Sequence, residues 1–231
     1  MIRLFNQDCM IEMAKMPDKA YQLAIVDPPY GINAPNMNMG SLPNGNADHY
    51  PSLGTASKNR LQRLNGGGGK LKDRLLNRSK IEWDSSKPSP EYFAELRRVS
   101  VNQIIFGGNY FDLGPSRCVI CWDKVQPWDN FSQWEMAWTS FDKPAALFRL
   151  ANFMTGKIHP TQKPVRLYEW LLKNYAKPGD RILDTHGGSM SIAIACDIMG
   201  YDLDLYEIDK DYFEAGKARL ERHQQQGKLF A

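Results

Sequence analysis

The sequence predicts an α/β protein in which helices flank a mainly parallel sheet. The apolar run from Tyr21 to Val26 stops at Asp27-Pro28-Pro29-Tyr30, as expected for a buried strand, because proline fixes φ and has no N–H to continue a ladder. Further along, a strand-like segment at 181–184 leads through a glycine loop into a small-residue helix at 191–199. The succession of strand, loop and helix is typical of α/β folds.

The other elements follow from similar patterns along the chain. We expect helices at 10–15, 90–100 and 211–223, and loops at 123–130 and 140–157. The segments 118–122 and 134–139 are expected to form a hairpin. The full set of seven predicted strands is 2–5, 21–26, 101–106, 118–122, 134–139, 181–184 and 201–206.

Length and composition fit one domain over residues 1–231. The chain is 42% hydrophobic and needs no disulfides to build a core of this size. It has no apolar stretch long enough to cross a bilayer, and Met1-Ile2-Arg3-Leu4 lacks a secretory pattern, so we expect it in the cytoplasm and not in a membrane. Its Cys118-x-x-Cys121 pair has no second ligand pair, so we expect buried thiols and no metal.

The corner at Asp27 to Tyr30 suits methylation of an amino group on a flat heterocycle. Such an amine is a poor nucleophile, and acceptors that draw on its hydrogens help it attack; Asp27 and the carbonyl of Pro28 supply such acceptors. Tyr30 is placed to stack on a base taken out of the helix. The alternative is structural: any strand can end in Asp-Pro-Pro, and a tyrosine there is often only half-buried.

The segment from Asp184 to Ser189 resembles a nucleotide-binding corner, where glycines let the backbone approach a ligand closely. Glu207 ends the next predicted strand, about 20 positions on, where a carboxylate accepts hydrogen bonds from ribose hydroxyls. Because the full G-x-G-x-x-G spacing is missing, a dinucleotide is not favoured.

These motifs resemble the amino-group DNA methyltransferases of the beta class. The resemblance rests on Asp27-Pro28-Pro29-Tyr30, on Asp184-Thr185-His186-Gly187-Gly188-Ser189, and on His159-Pro160-Thr161-Gln162-Lys163-Pro164 just upstream, in the permuted order of that class. It covers most of residues 1–30 and 81–220. It implies a Rossmann-like methyltransferase fold with a seven-stranded, mainly parallel sheet, S-adenosylmethionine as cofactor, and double-stranded DNA as substrate.

The resemblance also implies roles for individual residues. Asp27, Pro28, Pro29 and Tyr30 are the expected catalytic residues, and the target is expected to be N6 of adenine, with N4 of cytosine as the alternative. Asp8 is a candidate contact to the cofactor's adenine, although capping the following helix is an equally physical role. The expected cofactor-binding residues are Asp8, Cys9, Asp27, His159, Thr161, Gln162, Lys163, Asp184, Thr185, His186, Gly187, Gly188, Ser189, Glu207 and Ile208. The loop departs from the family pattern, since Thr185-His186 replaces a common Pro-Phe and Met190 follows Ser189.

A basic stretch follows the catalytic corner. The net charge of the chain is only +3, but residues 58–80 carry eight positive charges against one negative charge. We expect residues 31–80 to be a mobile insertion that binds DNA, with a helix at 71–80; the alternative is a solvated charged face. Arg149 and Lys157, in predicted loops, are further candidates to reach DNA. The expected DNA-binding residues are Lys58, Arg60, Arg63, Lys70, Lys72, Arg74, Arg78 and Lys80.

The carboxyl end carries a separate hypothesis. After the predicted last helix, residues 224–231 are expected to form a flexible tail, and Gln226 to Phe230 resemble the peptides that dock into bacterial sliding clamps. The alternative is a Leu-Phe pair that folds back onto the domain. We expect a monomer or a homodimer. Two rival functions remain open: a Rossmann oxidoreductase that binds a nicotinamide cofactor, and a DNA-binding protein of this fold without activity.

Overall fold

The computed structural model describes residues 1–36, 83–125, 132–152 and 156–228. These residues form one eight-stranded sheet with helices on both faces. The eight basic residues between Lys58 and Lys80 that we expect to bind DNA, and the helix predicted at 71–80, lie outside the described residues.

The sheet has the spatial order β1-β8-β7-β2-β3-β5-β4-β6. Neighbouring strands are parallel except at β5, which runs antiparallel to β3 and to β4. The predicted hairpin between the fourth and fifth strands is therefore present. The strands are β1 (Ile2–Phe5), β2 (Tyr21–Val26), β3 (Ser100–Phe106), β4 (Val119–Asp123), β5 (Trp134–Thr139), β6 (Ala146–Arg149), β7 (Arg181–Asp184) and β8 (Asp202–Tyr206).

The helices cover both faces of this sheet. Strand β2 shows why both faces are buried: Leu23 and Ile25 point into one apolar cluster, whereas Ala24 and Val26 point into the other. The helices are α1 (Cys9–Met13), α2 (Pro90–Val99), α3 (Val165–Tyr175), α4 (Ser191–Met199) and α5 (Lys210–Lys228). Within the described residues, no helix is both long enough and apolar enough to span a membrane.

Strand β6 corrects the prediction of seven strands. It lies at the sheet edge and pairs in parallel with β4, within the segment 140–157 for which the sequence predicts a loop. With four residues and one neighbour, it is too short for its alternation to stand out in the sequence. Arg149 belongs to this strand and pairs with Asp123 of β4 at 2.8 Å, so its guanidinium already has a carboxylate partner.

The last helix is longer than predicted. Helix α5 continues to Lys228, so residues 224–228 are helical where the sequence suggests a flexible tail. Gln226, the first residue of the proposed clamp-binding peptide, lies in this helix, and residues 229–231 lie outside the described part. The clamp hypothesis stays a prediction.

The parallel strands end at one edge of the sheet, and this edge positions the functional residues. Strand β2 ends at Val26 before Asp27, β7 ends at Asp184, and β8 ends at Tyr206 before Glu207. Strand β5 runs the other way, so its first residues lie at the same edge as the end of β4. Open α/β sheets bind ligands in the crevice outside the carboxyl ends of their strands.

Candidate active site

The catalytic corner and the glycine loop open into one cleft. A cavity of about 1420 Å³ is lined by residues 27–30 and by residues 186–189, together with parts of the segments 83–86 and 159–163. Pockets for small molecules usually measure about 300–1,000 Å³, so this cleft has room for two ligands side by side. The two motifs are more than 150 positions apart in the chain, and the sheet brings them together because their strands β2 and β7 are neighbours.

Tyr30 is held against Asp27 and against a second aromatic ring. Its hydroxyl donates a 2.7 Å hydrogen bond to Oδ1 of Asp27, and its ring stacks on Tyr110 with centroids 4.9 Å apart and planes 14° from parallel. Gly107, which has φ +69°, lies directly beside this ring; a Cβ there would come within 2.7 Å of Cζ of Tyr30. The corner thus presents a carboxylate and an aromatic pair to the cleft.

The chain that follows Tyr30 is fixed by a buried carboxylate. Asp84 is 1% exposed, and its two oxygens accept hydrogen bonds from the backbone N–H groups of Gly31 (2.8 Å) and Ala34 (2.9 Å). A carboxylate that accepts two backbone N–H groups makes strong, charge-assisted bonds. Asp84 therefore sets how the backbone leaves the catalytic corner, a role that the sequence reasoning missed.

Four charged side chains form a row along one wall of the cleft. Nζ of Lys163 donates to Oδ2 of Asp27 and lies 3.1 Å from Oε2 of Glu135, whose other oxygen pairs with Lys124 at 2.6 Å. The two lysine side chains are only 2–3% exposed. Two cations beside two carboxylates leave the buried row without net charge, which is the arrangement that buried charges require.

The pKa values in this row follow from burial and from the lysines. Burial raises the pKa of the Asp27 carboxyl, and the Lys163 ammonium only partly offsets this effect. Burial acts on Glu135 in the same sense, but Lys163 and Lys124 together outweigh it and lower the pKa of Glu135 to about 2. For Lys163, the attraction of Asp27 and Glu135 outweighs burial and raises the pKa of the ammonium.

The glycine loop is built around Asp184. This carboxylate accepts the backbone N–H of His186 at 3.0 Å, and burial raises its pKa to about 8. Burial also lowers the pKa of His186 to about 4, and its Nδ1 lies 2.9 Å from the hydroxyl of Thr185. Near neutral pH the loop therefore holds an uncharged imidazole.

Glu207 connects this loop to the end of β8. Its Oε2 accepts the backbone N–H of Gly188 at 2.7 Å, and its Oε1 accepts the N–H of Asp209 at 2.8 Å. Each carboxylate oxygen has two acceptor sites, so both retain capacity for a ligand hydroxyl. Burial raises the pKa of Glu207.

Met190, the departure from the family pattern, has a structural explanation. It is fully buried with φ +55° immediately before α4, and its side chain packs against Gly216 of α5, where a Cβ would come within 2.7 Å. Arg219 of the same helix donates to the carbonyl of Ser189 (2.7 Å) and to Oγ of Ser191 (2.9 Å). Helix α5 thus holds the loop from behind the cleft.

The segment before α3 forms the wall beside this loop. The ring of His159 packs against Tyr212, with centroids 4.2 Å apart, and burial lowers its pKa to about 3. The amide oxygen of Gln162 accepts the N–H of Ile158, and the carbonyl of Lys163 accepts a hydrogen bond from Ser191 at the start of α4. These bonds fix the backbone around Lys163 and so help to position its ammonium.

Parts of this sequence are similar to known proteins. Residues 119–218 match the N6_N4_Mtase family model, described as DNA methylase. These residues include β4 to β8 and the glycine loop. The type II methyltransferase M2.DpnII of Streptococcus pneumoniae is 26% identical over 148 residues, which are 64% of this chain and 52% of that protein. The chain thus spans about half the length of this relative. These matches support an amino-methyltransferase family.

Solved structures extend the likeness to nearly the whole chain. A complex described as M1.HpyAVI-SAM covers 95% of this chain and 99% of its own, with a TM-score of 0.55 and 15% identity. PvuII DNA methyltransferase, described as cytosine-N4-specific, covers 97% and 90%, with a TM-score of 0.56 and 11% identity. At these identities the likeness concerns the fold, and it confirms the predicted methyltransferase fold class.

Most of the site residues that the resemblance implies line the cleft. The four residues of the catalytic corner do so, as do His159, Thr161, Gln162, Lys163, His186, Gly187, Gly188, Ser189, Glu207 and Ile208. Four others do not line it. Asp184 and Thr185 support the loop from below, Cys9 begins α1, and Asp8 accepts the N–H of Met10 at 2.8 Å, the capping role considered as its alternative.

The sequence reasoning missed several groups at the cleft. Besides Asp84, these are Tyr110, Lys124 and Glu135. Strand alternation marks Glu135 only as a polar residue in an apolar strand, and local patterns do not show which charge it faces.

The Cys118-x-x-Cys121 thiols have no metal-binding neighbours: the described residues contain no group of three or more His, Cys, Asp or Glu that could hold a metal ion.

Proposed function

We propose that this protein transfers the methyl group of S-adenosylmethionine to the exocyclic N6 amine of an adenine that has been flipped out of double-stranded DNA. The observation that carries the proposal is the shared cleft, in which Asp27 and Tyr30 face the same space as the glycine loop and Glu207. A methyl donor and an acceptor base must both be bound, with their reacting atoms about 3–3.5 Å apart. Two chemically different walls in one cleft support the binding of both molecules side by side.

The residues at the loop side fit the methyl donor. The donor combines a nucleoside with a positively charged sulfur, and the carboxylates of Asp27, Glu207 and Asp209 all line the cleft. The free acceptor sites of Glu207 suit ribose hydroxyls, and the main chain at Gly187 and Gly188 leaves room for close approach. Asp184, Thr185 and the residues of the segment 159–163 would support or contact the donor, and Asp8 and Cys9 would act from the start of α1.

The corner side fits a flat base. Tyr30 and Tyr110 present stacked rings, and base–aromatic stacking contributes about 1–3 kcal/mol per base. The carboxylate of Asp27 lies at the edge of these rings, where the exocyclic amine of a stacked base would point. An adenine is preferred here because the Asp-Pro-Pro-Tyr corner resembles mostly adenine enzymes.

In this mechanism the protein positions and polarises the amine. Asp27 and the carbonyl of Pro28 accept hydrogen bonds from the two amine hydrogens, which frees the nitrogen lone pair from the ring as the nitrogen becomes pyramidal. When bound, the donor supplies a methyl carbon that bonds to this nitrogen as its bond to sulfur breaks, and the sulfur keeps the electron pair. The proton that the nitrogen then loses passes to Asp27 and on to solvent.

The DNA itself is expected to contact the basic stretch. The eight cations between residues 58 and 80 would neutralise phosphates, which makes binding salt-dependent. Because the insertion 31–80 that carries this stretch follows Tyr30 directly in the chain, phosphate contacts there would bring the duplex close to the catalytic corner.

A direct assay tests the proposal and separates its alternatives. The full chain is incubated with plasmid DNA and S-adenosylmethionine, the DNA is digested to nucleosides, and mass spectrometry identifies the modified one. Finding N6-methyl-2′-deoxyadenosine supports the proposal. Finding N4-methyl-2′-deoxycytidine instead shows that the target is cytosine, the alternative considered above. If neither appears, calorimetry with S-adenosylmethionine and with a nicotinamide dinucleotide distinguishes an inactive DNA-binding protein from an oxidoreductase.

Variants of the corner test the assigned roles. Asp27→Ala should abolish transfer while largely preserving donor binding by calorimetry, because the donor also contacts the loop. Tyr30→Ala should weaken base capture, whereas Tyr30→Phe and Tyr30→Trp should keep part of the activity because their rings still stack. An Asp27→Ala protein with wild-type turnover would show that the carboxylate has a different role.

A further inference from the structure

The row of buried charges contains one acceptor that the resting protein leaves without a hydrogen bond. Oε2 of Glu135 is buried and, among the described residues, has no hydrogen-bond partner of good geometry, although Nζ of Lys163 lies only 3.1 Å away. The ammonium is directed instead at Asp27. An unsatisfied buried carboxylate oxygen is costly, and such a group in a folded protein requires an explanation, of which a catalytic role is one.

Both oxygens of Asp27 are already engaged in this state. Tyr30 donates to Oδ1 and Lys163 donates to Oδ2. A base amine that approaches Asp27 must therefore use the acceptor sites that these donors leave open, or displace one of the donors. The ammonium of Lys163 is the donor with another acceptor within reach, since it needs only to rotate toward Glu135.

We infer that Lys163 is a positioning residue that holds the carboxylate of Asp27 in the resting protein and turns to Glu135 when the target amine takes its place. This inference rests on the proposed function, because it assigns a role at the same site. Glu135 is itself kept in place by Lys124, which occupies its other oxygen at 2.6 Å. The row thus keeps an ammonium within reach of Asp27 both before and after the amine binds.

The electrostatics of the site give the two side chains opposite effects on Asp27. Burial raises the pKa of Asp27, Lys163 lowers it, and Glu135 raises it. Removing the charge of Lys163 should therefore shift the Asp27 titration upward, and removing the charge of Glu135 should shift it downward. The other titratable groups that act on or near this carboxyl are Tyr30, Tyr92, Tyr168 and Asp184.

The test compares Lys163→Met, Lys163→Arg and Glu135→Gln with the wild type. The first readout is the ¹³C NMR titration of aspartate carboxyls in the free protein, with Asp27→Asn used to assign the signal. The second is the single-turnover methyl-transfer rate as a function of pH. Lys173→Met in α3 and Glu214→Gln in α5 are matched controls, because both side chains are exposed and neither lines the cleft.

The expected result is a pair of opposite shifts. Lys163→Met should move the Asp27 signal and the acid limb of the rate profile to higher pH, with at least about a tenfold loss of rate on that limb. Lys163→Arg should restore much of the wild-type profile. Glu135→Gln should move the Asp27 titration and the acid limb of the rate profile to lower pH. It should also reduce the maximal rate, because Lys163 then has only the carboxylate of Asp27 to bind. The controls should match the wild type.

The outcomes separate this inference from the proposed function. Shifts in the same direction for Lys163→Met and Glu135→Gln, or no shift in the carboxyl titration, overturn the inference whether or not transfer occurs. Failure of the wild type to methylate DNA overturns the proposed function and the part of the inference that concerns the target amine. The NMR titration does not depend on activity, so it still tests whether Lys163 and Glu135 act in opposite senses on Asp27. If Lys163→Met does not fold, the downward shift in Glu135→Gln decides the inference.

Discussion

Replacing Gly107 with alanine should disturb the catalytic corner without touching any charged group. Gly107 has φ +69°, and a Cβ added at this position would lie 2.6 Å from Cδ1 and 2.7 Å from Cζ of Tyr30. Contacts this short force the ring to move. A displaced ring loses its 2.7 Å hydrogen bond to Asp27 and its stack on Tyr110.

The magnitude follows from two separate costs. A non-glycine residue in the left-handed region costs about 1–3 kcal/mol of backbone strain. Overpacking against the ring, or moving it out of its contacts, costs about another 1–3 kcal/mol. Together they should lower the free energy of unfolding by about 2–6 kcal/mol.

Gly114→Ala is the matched control for the backbone part. Gly114 also has a positive φ, +76°, but among the described residues no atom outside its two chain neighbours lies within 4 Å of the position where its Cβ would be. This variant should therefore show the strain alone. The difference between the two variants, measured by urea unfolding, isolates the contact with Tyr30 and should be about 1–3 kcal/mol.

A double-mutant cycle refines the test. In a Tyr30→Ala background the ring is absent, so Gly107→Ala should cost no more than Gly114→Ala. Equal costs for the two glycine variants in the wild-type background would refute the reasoning, because they would show that Tyr30 does not occupy the place assigned to it.

Two further predictions concern buried carboxylates. Burial raises the pKa of Asp184 to about 8 from about 3.9 in an unfolded chain, so unfolding releases a proton between these values. Stability should fall as pH rises through this window by up to about 1.4 kcal/mol per pH unit, and urea unfolding of Asp184→Asn should lack this slope; parallel profiles for the two proteins would contradict it. Asp204 of β8 is 5% exposed and accepts hydrogen bonds from Arg3 and from the hydroxyl of Tyr21 at 2.6 Å. Asp204→Ala should cost about 2–3 kcal/mol in urea unfolding, and Asp202→Ala, at an exposed position of the same strand, should have a much smaller effect; similar losses would show that the buried bonds do not matter.

The strand ends and the glycine loop were predictable from the sequence because their signals are local. Two prolines after an apolar run mark the end of β2 within one residue, and Gly200 marks the end of α4. The hairpin of β4 and β5 also follows from short apolar runs. By contrast, β6 has four residues and one neighbour, and its pairing with β4 depends on a contact that no local pattern encodes.

The site could be predicted only in part, for the same reason. Asp27 and Tyr30 are three positions apart, so their shared corner is visible in the sequence. Lys163 was placed at the cleft by its motif, but its bond to Asp27 joins residues 136 positions apart. Glu135 shows no motif at all, and its importance appears only when the sheet places the start of the antiparallel strand β5 beside the ends of the parallel strands.

The antiparallel direction of β5 is what makes the charge row possible. A parallel strand in its place would present its carboxyl end to the cleft and put Glu135 near the opposite edge of the sheet. Because β5 enters the sheet at the cleft, its second residue reaches Lys163 while its later residues, Ala137 and Trp138, are buried. The direction of one strand thus determines whether the lysine beside Asp27 has a second carboxylate to bind, and the proposed turn of Lys163 requires that second partner.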